Sequence, residues 1–281
     1  MLRFSSRNAY SGRGFCITVV KFLGKNLGRQ RNNLAFYDQQ AARWWDETAT
    51  IAPLNRLNPL RFNYFDRVIP HWKGLRVLDV GCGGGFTCEF LAHQQAQVWG
   101  LDQSARCIAA AQAHAEAEGW PITYCRGVAE ALPFEAAAFD VVVCVDVLEH
   151  VADPLKSVQE ISRVLRPGGL FCFDTINRTT RSRLVMIWLL ENILRQIPAG
   201  IHDWEKFITP DELRAMLAQA GFGAVKMDGF NLFGSTVGEV VAAYRLYQTT
   251  GKFEARFDGD MRVMYVGTAV KGGAEPSGER G

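Results

Sequence analysis

The sequence predicts an α/β fold built on a doubly wound, mostly parallel sheet of seven strands. Between residues 76 and 175, short apolar runs alternate with amphipathic segments, which is the order of a parallel sheet covered by helices. The run Phe139–Val145 is almost continuously apolar and predicts a strand buried on both faces. Near the C-terminal end, Phe222–Phe230 and Met261–Val270 indicate a closing antiparallel hairpin.

The remaining elements are predicted from helical periodicity, capping residues and breakers. Ser104 should cap an alanine-rich helix that runs to about Glu118, where Gly119 and Pro121 stop it. The other predicted helices are Leu34–Asp46, Phe62–Ile69, Thr87–Gln94, Pro154–Leu165, Pro210–Ala220 and Val237–Tyr247. The other predicted strands are residues 77–80, Gln97–Leu101, Ile122–Arg126 and Leu170–Thr175, the last after an exit turn at residues 166–169.

Composition bounds the class of protein. The chain has 281 residues, 48% of them apolar, and a formal net charge of +2, as expected for a soluble globular protein without a nucleic acid partner. Seven Lys and Arg residues and no acidic residue lie in the first 37 positions. We expect residues 1–33 to be a disordered leader or an organellar transit peptide, residues 34–270 to form one domain, and residues 271–281 to be a disordered tail.

The cysteines indicate the compartment. There are seven, and none forms a CxxC pair, which predicts reduced core thiols and neither disulfides nor a zinc site. We expect a cytoplasmic location, with a mitochondrial one as the alternative if the leader is a transit peptide.

A glycine-rich turn after the first strand predicts the cofactor site. Asp79 ends an apolar run and begins the pattern Asp-x-Gly-x-Gly-x-Gly, with glycines at 81, 83 and 85. A dinucleotide fold would place its third glycine where Phe86 stands, so the pattern disfavours NAD. The acid-first form resembles motif I of class I S-adenosylmethionine (SAM) methyltransferases. In that interpretation Asp79 and the turn, with Gly81 and Gly83, receive the amino-acid moiety of SAM; the alternative is an ordinary glycine-rich turn of an α/β domain.

Further residues are candidate cofactor ligands. Asp102 ends the second strand about 20 residues after the glycines, where an acid binds ribose hydroxyls in doubly wound folds. The proline-interrupted segment Pro53–Arg61 contains two arginines, Arg56 and Arg61. Either is a candidate clamp for the SAM carboxylate, although a surface arginine is the commoner explanation for each.

A second group of polar residues follows the fourth strand. In a helical turn, Asp146, Glu149 and His150 would share one face, because they are spaced i, i+3 and i+4. Two carboxylates and an imidazole can hold a divalent cation and leave positions open for a substrate. The alternative is that these residues only form the pocket wall.

The segment Arg178–Pro198, part of an insert at about 178–199, is predicted as an amphipathic helix. Its apolar centre, Leu184–Leu190, is flanked by arginines and is too short to span a bilayer. A helix of this kind is either a peripheral membrane anchor or a lid packed on protein.

Between residues 43 and 233 the sequence resembles the ubiquinone-biosynthesis O-methyltransferases. The resemblance lies in the stretches Arg43-Trp44-Trp45-Asp46, Leu57-Asn58-Pro59-Leu60-Arg61, residues 77–85, Leu148-Glu149-His150-Val151, Arg166-Pro167-Gly168-Gly169, Thr175-Ile176-Asn177-Arg178 and residues 202–208 (HDWEKFI). It implies a Rossmann-like class I fold, SAM contacts at Arg61, Gly81, Asp102 and Val145, and a metal motif, with Mg²⁺ as the candidate ion, on Asp146, Glu149 and His150. Asp146 is one methylene shorter than the family's usual Glu.

These observations together predict a SAM-dependent O-methyltransferase that acts on a phenolic or catechol hydroxyl of a lipophilic, polyprenylated quinone precursor. His150 or His202 would accept the proton, and a peripheral association with the inner membrane would give access to the substrate. The alternatives are a metal-independent SAM methyltransferase of another small lipid or metabolite and, from other classes, an NAD-linked oxidoreductase or a non-catalytic SAM-binding protein.

Overall fold

A seven-stranded sheet in the order β3-β2-β1-β4-β5-β7-β6 forms the centre of the protein. The computed structural model describes residues 31–193, 197–232, 234 and 236–272. The strands are β1 Arg76–Val80, β2 Gln97–Asp102, β3 Thr123–Arg126, β4 Phe139–Cys144, β5 Leu165–Ile176, β6 Phe222–Gly229 and β7 Met264–Lys271. Strands β3, β2, β1, β4 and β5 pair in parallel, whereas β7 runs antiparallel to both β5 and β6. The predicted fold class, a doubly wound and mostly parallel sheet, is confirmed.

Helices cover both faces of the sheet. They are α1 Ala35–Gln40, α2 Asn58–Phe65, α3 Phe86–His93, α4 Ala105–Glu118, α5 Pro154–Val164, α6 Thr180–Ser182, α7 Pro210–Gln219 and α8 Val237–Thr250. A π-helix, Arg183–Ile193, continues directly from α6. As predicted, Ser104 caps α4 by accepting a hydrogen bond from the backbone N–H of Cys107.

The described residues form three buried apolar clusters, and the two largest lie on opposite faces of the sheet. Successive side chains of a strand point to opposite faces, so Val77 packs among the aromatic side chains of α2, while Leu78 packs under α5 and α7. Val141 and Val142 of β4 divide in the same way. The central strands are therefore buried on both sides, as the apolar run at 139–145 predicted.

Several predicted boundaries differ from the structure, including those of α2, α1 and β5. Helix α2 begins at Asn58 instead of Phe62, because Pro59 lies in its first turn, where a proline needs no N–H partner. Helix α1 ends at Gln40 and is followed by a 3₁₀ turn, Ala41–Arg43. Strand β5 begins at Leu165, since the predicted exit turn is an irregularity in the strand across which pairing with β4 shifts.

Parts of three predicted segments lie outside the described residues: positions 1–30 of the leader, positions 194–196 of the segment Arg178–Pro198 and positions 273–281 of the tail. Within the described part of the chain, no helix is both long enough and apolar enough to cross a bilayer.

Candidate active site

A cavity of about 930 Å³ opens at the carboxyl ends of β1, β2 and β4. In open α/β sheets this edge is where ligands bind. The structure brings all the predicted cofactor residues to the wall of this cavity: Arg61, Asp79, Gly81, Gly83, Asp102 and Val145.

The glycine turn is needed for backbone conformation and for packing. Gly81, Gly83 and Gly85 have φ values of 78°, 51° and 98°, a region that favours glycine. A Cβ on Gly81 would lie 2.4 Å from the side chain of Val147, and one on Gly83 would lie 2.4 Å from the indole of Trp44. The space left by the missing Cβ atoms is thus filled by the protein's own side chains.

Asp102 is held in place by two backbone donors. Its Oδ2 accepts from the N–H of Gly83 at 2.9 Å, and its Oδ1 accepts from the N–H of Ser104 at 2.8 Å. Burial raises the pKa of the Asp102 carboxyl, although both hydrogen bonds favour the charged form. Each oxygen keeps a second lone pair, so the carboxylate can still accept hydrogen bonds from ribose hydroxyls.

Asp79 lies deeper, under the glycine turn. Its carboxylate accepts a weak hydrogen bond from the thiol of Cys88 at 3.3 Å, and burial raises its pKa to about 7. A buried acid of this kind would be stabilised as the anion by a nearby ammonium group, which SAM carries.

Arg61 is buried and forms a triad with two carboxylates. Its Nε donates to Asp174 at 2.5 Å, and an NH2 nitrogen donates to Asp146. The backbone N–H of Asp146 donates to Asp174 at 2.8 Å, which closes the triad between the ends of β4 and β5. Arg61 is therefore not a surface arginine, but its guanidinium is largely engaged by protein carboxylates.

The predicted metal residues face a cavity but form a different local structure from the one expected. Asp146 has a φ of 55°, so a helical turn includes only Val147 to His150. Asp146 binds Arg61, and Glu149 accepts from the hydroxyl of Thr175 at 2.7 Å. Among the described residues, no three His, Cys, Asp or Glu side chains are grouped so that they could hold a metal ion. The metal role therefore stays a prediction.

Acidic side chains are nevertheless concentrated at this edge of the sheet. Burial first, and then the charge of Asp146, raises the pKa of Glu149 to about 8. Burial also raises the pKa of Asp174 to about 7, against the opposing effect of Arg61. The carboxyl groups of Asp146, Glu149 and Asp174 thus lie near one guanidinium, that of Arg61. Asp146 and Asp174 form hydrogen bonds with it.

A second cavity, of about 170 Å³, adjoins the first. Four residues line both cavities: Tyr37, Leu54, Asp146 and His150. The wall of the second cavity is mainly apolar, with side chains from the π-helix, α8 and the segment around Ile51, and its polar lining includes Asp146, Glu149, His150 and His202.

The two histidines stack in this wall, with ring centroids 5.7 Å apart. His150 Nδ1 lies 2.7 Å from Asn32 Oδ1, and Asn32 Nδ2 donates to the carbonyl of His150 at 3.0 Å. The amide orientation places the proton on Nδ1 of His150 and leaves Nε2 as the acceptor. Burial, together with the charges of His202 and Lys206, lowers the pKa of His150 to about 3, so this ring stays neutral.

His202 is paired with a buried carboxylate. Its Nδ1 lies 2.8 Å from Glu191 Oε1, and the same oxygen accepts from the backbone N–H of His202 at 3.0 Å. Glu191 Oε2 accepts from the N–H of Gly200 at 2.9 Å. Because a carboxylate can only accept, Nδ1 of His202 carries the proton, and Nε2 is the basic nitrogen.

Sequence reasoning missed three residues of this site. Glu191 is the single charged residue in an otherwise apolar stretch of the π-helix, and Asp174 is an acid at the end of a buried strand; both are detectable signals. Asn32 has no such signal, since it lies in the segment predicted to be a leader and contacts His150, 118 positions away.

Comparisons with known proteins agree with this geometry. A family model described as a methyltransferase domain matches residues 78–173. The chain is 42% identical over 210 residues to the ubiquinone biosynthesis O-methyltransferase of Roseobacter denitrificans, a match that covers 71% of this chain and 85% of the relative. It is 41% identical over 210 residues to the protein of the same name from Ruegeria pomeroyi, again covering 71% and 85%.

Solved structures share the fold at low identity. A SAM-dependent methyltransferase from Thermotoga maritima superposes with a TM-score of 0.56 and 16% identity, over 84% of this chain and 98% of that one. The phosphoethanolamine N-methyltransferase 2 of Haemonchus contortus, solved with SAM, gives a TM-score of 0.57 and 18% identity, over 84% and 60%. The predicted SAM dependence is confirmed, and by its identity and coverage the chain belongs to the ubiquinone biosynthesis O-methyltransferase family.

Proposed function

We propose that the enzyme transfers the methyl group of SAM to a phenolic hydroxyl of a polyprenylated, catechol-type quinone precursor. The observation that supports this most is the apolar cavity that shares a wall with the cofactor cavity and contains both histidines. The names of the relatives support the same pathway.

The size of the second cavity fits the ring of such a substrate. Its volume of about 170 Å³ is close to the roughly 150 Å³ of an apolar cavity that binds benzene. One aromatic ring with its hydroxyls therefore fits, whereas a polyprenyl chain does not. The tail would leave the cavity and lie against apolar surface outside it.

We assign the proton acceptor to His202. His150 is held neutral and weakly basic by burial and by neighbouring positive charge. His202 has a carboxylate behind Nδ1, and Glu191 would stabilise the imidazolium that forms when Nε2 takes the phenolic proton. The phenolate oxygen then attacks the methyl carbon, the bond from that carbon to the sulfonium sulfur breaks, and S-adenosylhomocysteine leaves. His150, fixed by Asn32, would orient the adjacent oxygen of the ring.

A divalent cation is a further part of the proposal. The residues that would hold it are Asp146, Glu149 and His150, and when bound it would stabilise the phenolate as a Lewis acid. The donor types suit a divalent cation, because they are two carboxyl groups and a neutral imidazole, but in the described part of the chain they are not grouped to hold one. Binding would require Asp146 to turn from Arg61.

Methyl transfer to matched acceptors tests this function. Purified enzyme with methyl-labelled SAM should methylate a catechol carrying one isoprene unit, and mass spectrometry should place the methyl group on oxygen. The analogue in which both hydroxyls are already methylated should accept no labelled methyl group. Transfer to an amine or a carboxylate, with none to the catechol, would contradict the proposal.

A pair of variants tests the assignment of the base. Glu191→Gln and His202→Gln should each lower kcat by about a hundredfold or more, with a smaller effect on KM, because they act on the proton transfer. His150→Gln should instead mainly raise KM. Full kcat in His202→Gln at all pH values would remove His202 from the mechanism.

We further propose that the π-helix brings the enzyme to a lipid surface. Its side chains Leu184, Trp188 and Ile193 are 54%, 42% and 48% exposed, while Met186 and Leu190 of the same helix line the substrate cavity. This arrangement would place the cavity beside the tail of a membrane-dissolved substrate.

The expected electrostatic contribution to membrane binding is weaker than the sequence suggested. Arg178 contacts Glu212, Arg181 donates to the carbonyl of Gly234 at 2.7 Å, and Arg183 lies over the ring of Trp204. The proposed contact is therefore mainly apolar.

Liposome flotation decides between the anchor and a lid. We expect association with neutral and anionic vesicles, a loss of about tenfold or more in Leu184→Glu/Trp188→Glu, and little change with salt. Ala215→Glu, which places a charge on an exposed position of α7, is the matched control. No association of the unaltered enzyme would leave the π-helix as a lid.

A further inference from the structure

Two buried hydrogen-bond donors in the wall of the cofactor cavity have no partner among the described residues. They are Nδ2 of Asn58, a residue 1% exposed, and Nε1 of Trp44, a residue 5% exposed. An unpaired buried donor is energetically unfavourable, so native proteins seldom retain one unless a ligand or water satisfies it. Both donors therefore indicate an acceptor that binds in this cavity.

Both side chains pack against the first residues of α3. Asn58 Oδ1 accepts from the hydroxyl of Thr87 at 3.2 Å, which leaves only the Nδ2 group to bind a ligand. The Trp44 ring packs on Phe86, with centroids 5.5 Å apart, and covers the glycine turn. The two donors thus flank the N-terminal end of α3.

This end of α3 is itself suited to an anion. Gly85 precedes the helix and offers no side-chain cap, so the first N–H groups of the helix retain their partial positive charge. The helix end and the two unpaired donors are independent features, and they require the same kind of ligand group.

Among the polar groups of SAM, the carboxylate of the amino-acid moiety fits best. The ammonium group is a donor and would not satisfy Asn58 or Trp44. The ribose is expected at Asp102, the last residue of β2. Asn58 instead lies one helical turn before Arg61 on α2, and Arg61 reaches Asp174 on β5. Asn58 is thus on the other side of β1, toward the methionine end of the cofactor.

We propose that Asn58 Nδ2 and Trp44 Nε1, at the N-terminal end of α3, bind the carboxylate of SAM. Arg61 was the sequence-based candidate for this role, but Asp146 and Asp174 already engage its guanidinium. Its contacts with both aspartates join the ends of β4 and β5. This inference depends on SAM binding by the family and is independent of the proposed substrate.

Calorimetric binding of two probes tests the proposal without any turnover. S-Adenosylhomocysteine carries the carboxylate, and 5′-methylthioadenosine lacks the whole amino-acid moiety. Asn58→Leu and Trp44→Phe should each weaken S-adenosylhomocysteine about tenfold or more and change methylthioadenosine less than about twofold. Asn58→Asp retains the acceptor for Thr87 but adds a negative charge, and it should weaken S-adenosylhomocysteine further.

The neighbouring tryptophan is the matched control. Trp45 Nε1 already donates to the carbonyl of Gly84 at 3.0 Å, so Trp45→Phe should leave the ratio of the two affinities unchanged. Thermal unfolding of each variant verifies folding. An unchanged ratio in Asn58→Leu or Trp44→Phe would overturn the assignment of that donor, and tighter S-adenosylhomocysteine binding by Asn58→Asp would place the ammonium there instead.

Discussion

Replacing Glu149 by glutamine should stabilise the protein at neutral and alkaline pH. The Glu149 carboxyl is buried, and its pKa in the folded state is about 8, against 4.5 for the reference group. The folded state therefore holds a proton that the unfolded state releases, and stability falls as pH rises from 4.5 through 8. The glutamine of the Glu149→Gln variant has no proton to lose and can still accept the hydrogen bond from Thr175.

The size of the effect follows from the two pKa values. Between about pH 5.5 and pH 8, linkage gives a relative loss of roughly 3 kcal/mol for the unaltered protein compared with Glu149→Gln. The shifts of Asp79 and Asp174 act in both proteins, so most of their effect cancels in the difference.

Urea unfolding at the two pH values measures this difference, with a chelator present so that no cation binds the site. Glu205→Gln, a substitution of an exposed carboxyl, should show no pH-dependent difference from the unaltered protein. If the difference between Glu149→Gln and the unaltered protein is the same at both pH values, Glu149 is not a buried acid with a raised pKa, and the charge argument for the site fails.

Three other outcomes are expected. Adding millimolar Mg²⁺ at about pH 8 should raise the thermal midpoint of the unaltered protein by a few degrees and leave that of Glu149→Gln unchanged. An equal response of both proteins would show that Glu149 is not a ligand of the cation. Asp102→Ala should weaken S-adenosylhomocysteine about tenfold or more by calorimetry, because hydrogen bonds to a charged acceptor are lost; unchanged affinity would move the ribose elsewhere. Arg61→Met should lower the free energy of unfolding by about 3–5 kcal/mol, since it leaves the buried Asp174 and the half-buried Asp146 without their cation. A urea midpoint within error of the unaltered protein would refute the triad.

Local patterns were sufficient to predict most of the fold. The buried strand β4 and the cap at Ser104 each depend on residues that are neighbours in the sequence. The rules for buried strands and for helix caps therefore predict both. The boundaries that differed, at α2 and β5, depend on tertiary context. Pro59 is compatible with a first helical turn, and the shift in β5 is defined only by its pairing with β4.

The candidate site also contains features that follow from local sequence and features that depend on tertiary contacts. Asp102 and the glycine turn could be predicted because their positions are fixed relative to strand ends. The contacts that set the basicity of the two histidines could not be predicted from the sequence. Glu191 contacts His202 across a loop, and Asn32 contacts His150 from 118 positions away in the sequence. The φ of 55° at Asp146, which altered the expected helical turn, depends on how β4 ends.

The wall shared by the two cavities has a consequence for the order and energetics of binding. Asp146 and His150 line the cofactor cavity on one side and the second cavity on the other, and Asp146 is joined to Arg61 and Asp174. If this wall moves when a ligand binds in one cavity, the shape and the electrostatic potential of the other cavity change. By thermodynamic reciprocity, each ligand must then alter the affinity of the other by the same factor. The acceptor should therefore bind with a different affinity to the SAM-loaded enzyme than to the free enzyme.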